Sequence, residues 1–379
     1  MKPKDTLKRV VVKLGTQIVM ENGAFAKARL KRLVETCAQH RENGREFIFV
    51  SSGAVGLGRS VLGIERKLTL QEKQACAAVG QGLLMNAYRE LFSAHDWMTA
   101  QLLLTADDFA QRKRYLNLRS TLETLLEMDV APIINENDPV STMELQEEGK
   151  VKSFGDNDKL SALVAGKLGA NLLVILTDVD GVYTENPQEN PQAEKIGTID
   201  TFQRLSSIKF GSASKLGRGG MKSKLDASRV ASICGVQTAI VSGLKPESLG
   251  RVLSGEAEGT RVLPQSAIPG RKRWIGLSSG ATGSVLVNEG AKKALVEKRA
   301  SLLPSGVVGV EGEFKANEVV SIVDERREEI GRGIVSFSAK DVVKIQGKHS
   351  KEIKKILGDV DDDVVIGRDN LVIFEEYER

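Results

Sequence analysis

The chain is 379 residues long and 41% hydrophobic, with 54 Lys and Arg against 50 Asp and Glu, a formal charge of +4. A length beyond the ~250–300 residues at which single cores stop growing predicts two domains, and so mild a charge neither demands nor excludes a nucleic-acid partner. Cys37, Cys76 and Cys234 lie far apart, and His40, His95 and His349 do not sit at metal-ligand spacing from them, which excludes a disulfide framework and a zinc site; with no apolar leader and no run of ~18 apolar residues, a cytoplasmic chain without a membrane span is expected.

Short apolar runs alternate with stretches long enough for helices. RVVVKL at 9–14, EFIFVSS at 46–52, VAPIIN at 130–135, NLLVILTD at 171–178 and TAIVSG at 238–243 lack polar alternation, the pattern of strands buried on both faces of a parallel sheet. Segments 27–43, 71–92 and 158–169 suit crossover helices, so a layered α/β domain over residues 1–265 is predicted. The texture changes after Leu263, where LPQSAIPGRKRW reads as a linker. Beyond it GSVLVNEG, GVVGVEGEF, NEVVSIVDE and EIGRGIVSFS read as strands of a small β-barrel domain over 275–360, with a tail over 361–379.

Polar groups collect at the ends of the predicted strands, where open α/β sheets bind ligands. The first strand runs into Lys13-Leu14-Gly15-Thr16, and the second ends in Ser51-Ser52-Gly53-Ala54. The third ends in Asn135-Glu136-Asn137-Asp138 and the fourth in Thr177-Asp178-Val179-Asp180-Gly181. A charge closing an apolar strand is costly unless it faces a site, which singles out Lys13. Asp156, Asn157 and Asp158 stand in a row ahead of a small-residue helix; capping accounts for one of them, not three. SSGA and Asp138-Pro139 also suit plain turns, and Thr177-Asp178 an Asx-type turn.

GRGGMKSK, from Gly217 to Lys224, opens a further helix with Met221, Leu225, Val230 and Ile233 as its apolar face. Glycines at a helix start let backbone N–H groups approach an anion, so this stretch reads as a phosphate cradle with Lys224 one turn inside. There is no GxxxxGK[ST], and GAVGLG at 53–58 does not match GxGxxG. Nucleotide binding therefore has to use another architecture.

Six motifs in order, VVKLGT (11–16), SSGA (51–54), INEND (134–138), GDND (155–158), TDVDGVY (177–183) and GGMKSK (219–224), resemble the amino acid kinase family over nearly the whole chain. The resemblance implies a three-layer αβα sandwich with a mainly parallel sheet, and transfer of the ATP γ-phosphoryl group, with Mg²⁺, to a carboxylate. Within the family, INEND, GDND and the C-terminal domain are similar to the branch that phosphorylates the γ-carboxylate of free L-glutamate at the start of proline biosynthesis. It implies that Lys13 and Lys224 approach the transferring group from either side and that Asp158 holds both, positioned cations being what such a transfer needs. Ser52, Gly53, Asp138 and Asn157 would form the glutamate site, Asp138 meeting the ammonium and Asn157 offering its amide, with Asp156 left as the cap. Lys13, Gly15, Thr177, Asp178, Arg218, Gly219, Gly220, Met221, Lys222, Ser223 and Lys224 would serve ATP, although Lys222 by itself reads as a solvated helix residue. The Mg²⁺ ligands stay open, Asp158 being able to serve directly or through water. Three features depart from the family pattern: a longer segment between Asp138 and Gly155, Arg218 in place of a small polar residue, and Lys159 in place of Asn.

The family also implies a homo-oligomer, a dimer or tetramer, with proline as a feedback inhibitor and glutamate-5-phosphate reductase as the pathway partner. Residues 275–355 resemble a PUA domain, a module that binds RNA in modification enzymes, through SLLPSGVVGVEGEF, EVVSIVD and IGRGIVSFSAKDV. Arg271, Lys272, Arg273 and the basic residues of 291–301 would supply a phosphate-facing patch. Acidic ERREE and GDVDDDVV lie nearby, and of Phe314, Phe337 and Trp274 the first two read as core, so RNA is not the expected partner. Two alternatives stay open: an RNA-binding protein on an idle kinase scaffold, and a kinase of N-acetylglutamate, aspartate, carbamate or a nucleoside monophosphate.

Overall fold

The computed structural model describes residues 7–141, 157–187, 189–200, 220–265, 275, 283–349, 352–358 and 363–374. Gly155, Asp156, Arg218, Gly219, most of the lengthened segment, Arg271, Lys272, Arg273 and Trp274 lie outside the described residues. The chain divides into two compact units, one running to Asp108 and from Lys113 to Ala267, the other from Ile268 onward together with Phe109–Arg112.

The first unit is built on eight strands: β1 Arg9–Leu14, β2 Glu46–Ser51, β3 Thr99–Leu104, β4 Ala131–Glu136, β5 Leu172–Thr177, β6 Thr198–Ile199, β7 Gln237–Ser242 and β8 Thr260–Val262. They lie in the order β6-β8-β7-β5-β1-β2-β4-β3. Every neighbouring pair from β7 to β3 is parallel, and only β8 runs antiparallel to β7. The five apolar runs all become strands of the parallel part, as residues buried on both faces require. β3 was not anticipated because it closes the sheet, and its half-covered TAQLLL carries a weaker apolar signal than a central strand.

Helices α1 Lys27–Arg41, α2 Ala54–Val61, α3 Leu70–Ser93, α4 Arg112–Glu127, α5 Asn157–Leu168, α6 Met221–Ile233 and α7 Pro246–Leu253 connect the strands. α3 starts with a capping box: Thr69 Oγ1 accepts from Glu72 N–H at 3.3 Å, and the Thr69 N–H donates to Glu72 Oε2 at 2.9 Å. On one face of the sheet, α1, α2, α3 and α7 share a core with Val10, Val12, Phe47, Phe49, Ile133 and Val174. α5 and α6 cover the other face. The buried side of α6 is Lys224, Leu225, Ala227, Ser228, Ala231, Ser232 and Ile233, with Met221 and Val230 only half covered. Small residues let α6 pack closely against α5, which corrects the apolar face read from the sequence.

The second unit holds a five-stranded sheet: β9 Gly283–Val287, β10 Val307–Gly312, β11 Val319–Val323, β12 Glu329–Ile334 and β13 Leu371–Ile373, in the order β10-β9-β11-β12-β13. Phe314 and Phe337 are buried in its core, as expected. The stretch taken as a tail is corrected: Leu371–Ile373 pairs antiparallel with β12, and Val365, Ile366, Leu371 and Ile373 are core residues. Three residues are too short a run to announce a strand. Among the described residues no helix is long and apolar enough to cross a membrane.

Candidate active site

The pleat of the central strands decides which side chains meet. Val10, Val12 and Leu14 enter the core beneath α1–α3, so Lys13 points to the opposite face. That face is covered by α5, which opens with Asn157 and Asp158, and by α6, which reaches Lys224 after one turn. Three charges thereby converge: Lys13 Nζ lies 2.6 Å from Asp158 Oδ1, and Lys224 Nζ lies 3.2 Å from Oδ2. Asp158 is 0% exposed, Lys13 4% and Lys224 7%. Charges this deep persist only when paired, and two ammonium groups sharing one carboxylate make a place for a further anion. The positive end of α5 steadies the carboxylate in its first turn.

Gly15 passes close by. A side chain there would begin 3.8 Å from Lys13 Nζ and 3.3 Å from the Leu176 carbonyl oxygen, to which the Gly15 N–H donates at 3.2 Å. Its N–H is therefore committed to β5, and what it contributes beside Lys13 is the lack of a side chain.

On the wall of the same cavity, Gly53 adopts φ 106°, a left-handed conformation that glycine enters without strain, and starts α2 with no side-chain cap. The Asn157 amide ties the strand ends together. Its Nδ2 donates toward the Ser51 carbonyl oxygen at 2.9 Å, Ser52 Oγ at 2.9 Å and Asn135 Oδ1 at 3.0 Å. A carbonyl only accepts, so the amide orientation is determined. The Asn157 N–H groups are thus spent within the protein, and among the described residues its Oδ1 is buried without a partner; of the two ends of the amide offered to a substrate carboxylate or amine, the oxygen is the one that remains. Asp138 begins a single helical turn, Asp138–Ser141, fastened to α3 by Gln74 Nε2 donating to the Pro139 carbonyl at 3.3 Å.

Ser52, Gly53, Asp138, Asn157, Lys13, Lys224, Gly15, Thr177 and Asp178 all line one cavity of ≈1090 Å³. Thr177 is buried, and its Oγ1 donates to Asp178 Oδ1 at 3.0 Å, while Asp178 is exposed. Gly220, Met221, Lys222 and Ser223 do not line the cavity, and Lys222 is exposed. Gly220 caps α6 without a side chain, so the first turn presents backbone N–H groups suited to an anion.

Two residues not singled out in the sequence lie behind the site: Gln81, whose Oε1 accepts from Asn135 Nδ2 at 2.9 Å, and Tyr88, whose hydroxyl lies 2.8 Å from Ser51 Oγ. Burial pushes the Tyr88 phenol well above its ordinary range, opposed in part by the Ser51 hydrogen bond. Their only signal was polarity on the inward face of α3, which a sequence cannot distinguish from an ordinary core tyrosine or a half-buried glutamine.

A resident metal cage does not fit this donor set. Both Asp158 oxygens face ammonium groups, and no cluster of three His, Cys, Asp or Glu occurs among the described residues. A Mg²⁺ that kept most of its waters would fit better, since that ion needs few protein carboxylates.

The description of the amino acid kinase family matches residues 8–242, and that of the PUA domain matches residues 283–357. The chain is 43% identical over 371 residues to Glutamate 5-kinase of Trichlorobacter lovleyi, covering 97% of each chain. It is 42% identical over 375 residues to Glutamate 5-kinase of Caldanaerobacter subterraneus subsp. tengcongensis, covering 98% of this chain and 99% of the other. Among solved structures, carbamate kinase from Giardia lamblia bound to AMP-PNP is 19% identical, covering 69% of this chain and 99% of that one, with a TM-score of 0.47.

Proposed function

The chain belongs to the amino acid kinase family, and from that membership we propose that it transfers the γ-phosphoryl group of ATP to the γ-carboxylate of L-glutamate, giving L-glutamyl 5-phosphate. The observation that carries the reading is the buried Lys13–Asp158–Lys224 cluster, reached from one cavity that also holds Ser52, Asp138 and Asn157. The relatives that span nearly the whole chain are named for this activity.

A carboxylate oxygen of glutamate attacks the γ-phosphorus, the new O–P bond forms, and the bond to the β–γ bridging oxygen breaks as ADP leaves. The attacking carboxylate is already ionised at neutral pH, so no general base is required. That agrees with a cluster whose one acid is fully engaged by two lysines. As charge spreads over the transferring oxygens, Lys13 and Lys224 meet it without reorganising, because Asp158 has fixed them beforehand. When bound, Mg²⁺ would neutralise part of the charge of the ATP phosphates. The Asn157 Oδ1, unpaired among the described residues, and the Asp138 carboxylate suit the substrate ammonium, and the uncapped start of α2 at Gly53 suits its α-carboxylate. Thr177, Asp178 and the first turn of α6 face the nucleotide.

Mg·ATP-dependent ADP release with hydroxylamine trapping tests the reaction, with L-glutamate compared against N-acetylglutamate, aspartate, carbamate and UMP. ADP release with trapped hydroxamate on glutamate and no ADP release with the others is the expected result, and ADP release on a competitor in its place overturns the substrate. Asp138→Ala is expected to raise the glutamate KM by ~10–100-fold, the weight of a charge-assisted contact, while the ATP KM stays level. An unchanged glutamate KM removes Asp138 from the substrate site. An acyl phosphate hydrolyses readily in water, so a reductase that consumes it promptly is the fitting pathway partner.

A further inference from the structure

We propose that Gln81 is a positioning residue that, together with the Ser51 carbonyl and the Glu136 N–H, holds the oxygen end of the Asn157 amide toward the substrate nitrogen, and so strengthens the preference for a free α-ammonium. This rests on reading the cavity as a glutamate site.

The inference follows from a relay of three amides. Ile133 lies in the core beneath α1–α3, so Asn135, two residues on along β4, points to the same side and reaches α3. Asn135 Oδ1 accepts from the Glu136 N–H at 2.9 Å and from Asn157 Nδ2 at 3.0 Å. Its Nδ2 must therefore face away, toward Gln81, and Gln81 must show oxygen there; the observed distance is 2.9 Å. The consequence runs back along the same path. Gln81 Oε1 holds the Asn135 amide in one sense, Asn135 Oδ1 holds the Asn157 amide in one sense, and Asn157 Oδ1 is left free to accept from a cation.

The state of Gln81 itself supports this assignment. It is 8% exposed, and its own Nε2 is buried with no partner among the described residues. An unpaired buried donor detracts from stability, and leucine or methionine would fill the same space without it. Locally unfavourable choices of this kind concentrate where function requires them. Here the requirement is an acceptor aimed at Asn135. Without it the Asn135 amide keeps only the Glu136 N–H and the Asn157 amide rests on the Ser51 carbonyl and Ser52, so both are held less firmly and Asn157 presents its oxygen to an ammonium a smaller part of the time.

The test compares Gln81→Met with Gln81→Glu in the full-length protein. Methionine keeps the volume and removes the acceptor; glutamate, ionised or neutral, keeps a carbonyl-type oxygen toward Asn135. The readouts are the KM for L-glutamate, the KM for ATP, and the kcat/KM ratio of L-glutamate over glutarate, which lacks the nitrogen. We expect Gln81→Met to raise the glutamate KM and lower the glutamate-to-glutarate ratio by ~10-fold, with the ATP KM level, and Gln81→Glu to restore both. A residue that only packs gives the reverse order, methionine tolerated and the buried acid harmful. A methionine variant matching wild type, or a glutamate variant no better than methionine, overturns the proposal. Thermal melts accompany each variant; should Gln81→Met not fold, Gln81→Leu takes its place, and restoration by Gln81→Glu still decides. Wild-type protein that turns over no glutamate defeats the substrate reading itself, a separate outcome from a wrong order among variants.

Discussion

Lys224→Ala should lower kcat by ~10²–10³ or more, the loss found when one preorganised donor to a developing anion is removed, while the melting temperature stays close to wild type. Both halves follow from the same geometry. Lys224 is one of two ammonium groups on Asp158, at 3.2 Å, and its removal leaves Asp158 paired with Lys13 at 2.6 Å. The carboxylate is not orphaned, so the fold keeps its charge balance and only the reaction suffers. Asp158→Ala behaves differently. It takes the shared carboxylate away from two ammonium groups that are 4% and 7% exposed, and breaking a buried pair costs ~3–5 kcal/mol. A melting temperature lower by on the order of 10 °C should accompany the loss of turnover. Hydroxamate formation and thermal melts on the two variants check this. Turnover by Lys224→Ala above a tenth of wild type removes the lysine from the reaction. An Asp158→Ala protein as stable as wild type would mean that the lysines do not depend on that carboxylate.

Three glycine-to-alanine changes on two helices should produce opposite effects. At Gly58 of α2 a Cβ would sit 1.9 Å from the Cys76 carbonyl oxygen, and at Gly80 of α3 it would sit 1.8 Å from the Ala54 carbonyl oxygen. These are backbone atoms on both sides, so no side chain can swing away, and α2 and α3 must separate. Overpacking of a tight core costs about 1–3 kcal/mol and occasionally more, and here it outweighs the ~1 kcal/mol of helix propensity that alanine brings. Because α2 begins at Gly53, on the wall of the cavity, the shift should also raise the glutamate KM. Gly82, two residues further along α3, has nothing within 4 Å of its would-be Cβ. Gly82→Ala should be stabilising by up to ~1 kcal/mol and kinetically silent. Denaturant titrations of the three variants check the signs. Gly58→Ala or Gly80→Ala as stable as wild type would contradict the close approach of the two helices.

The glycines also show where sequence reasoning stopped. GAVGLG at 53–58 and AAVGQG at 77–82 look alike as strings, and nothing local says that one glycine opens a helix at a ligand site, one faces the Met20 side chain, two admit a neighbouring backbone and one is idle. Each role is a distance to an atom remote in the chain. The same limit explains Asn157 and Gln81. That Asn157 belonged to the site was legible from its place ahead of a helix, but which end of its amide faces a ligand depends on Ser51, Ser52 and Asn135, brought within 3.0 Å by sheet pairing and by the start of α5. Gln81 could not be read at all, because its importance is one hydrogen bond to a strand in another layer.

The sequence by itself determined the strands and the chemistry. Unbroken apolar runs can be satisfied only by burial on both faces, which specifies a parallel sheet, and a lysine closing such a run has to meet an anion. Local constraints of that kind survive in a one-dimensional string. Only the tertiary structure decided that Lys13, Asp158 and Lys224, on three separate elements, would share one carboxylate out of water, that Leu371–Ile373 completes the second sheet, and that Asn157 keeps an acceptor free. Pairing across distant segments is settled by the packing of the whole sheet, since the strength of a charge or an amide in such a site depends on what surrounds it and not on its neighbours in the chain.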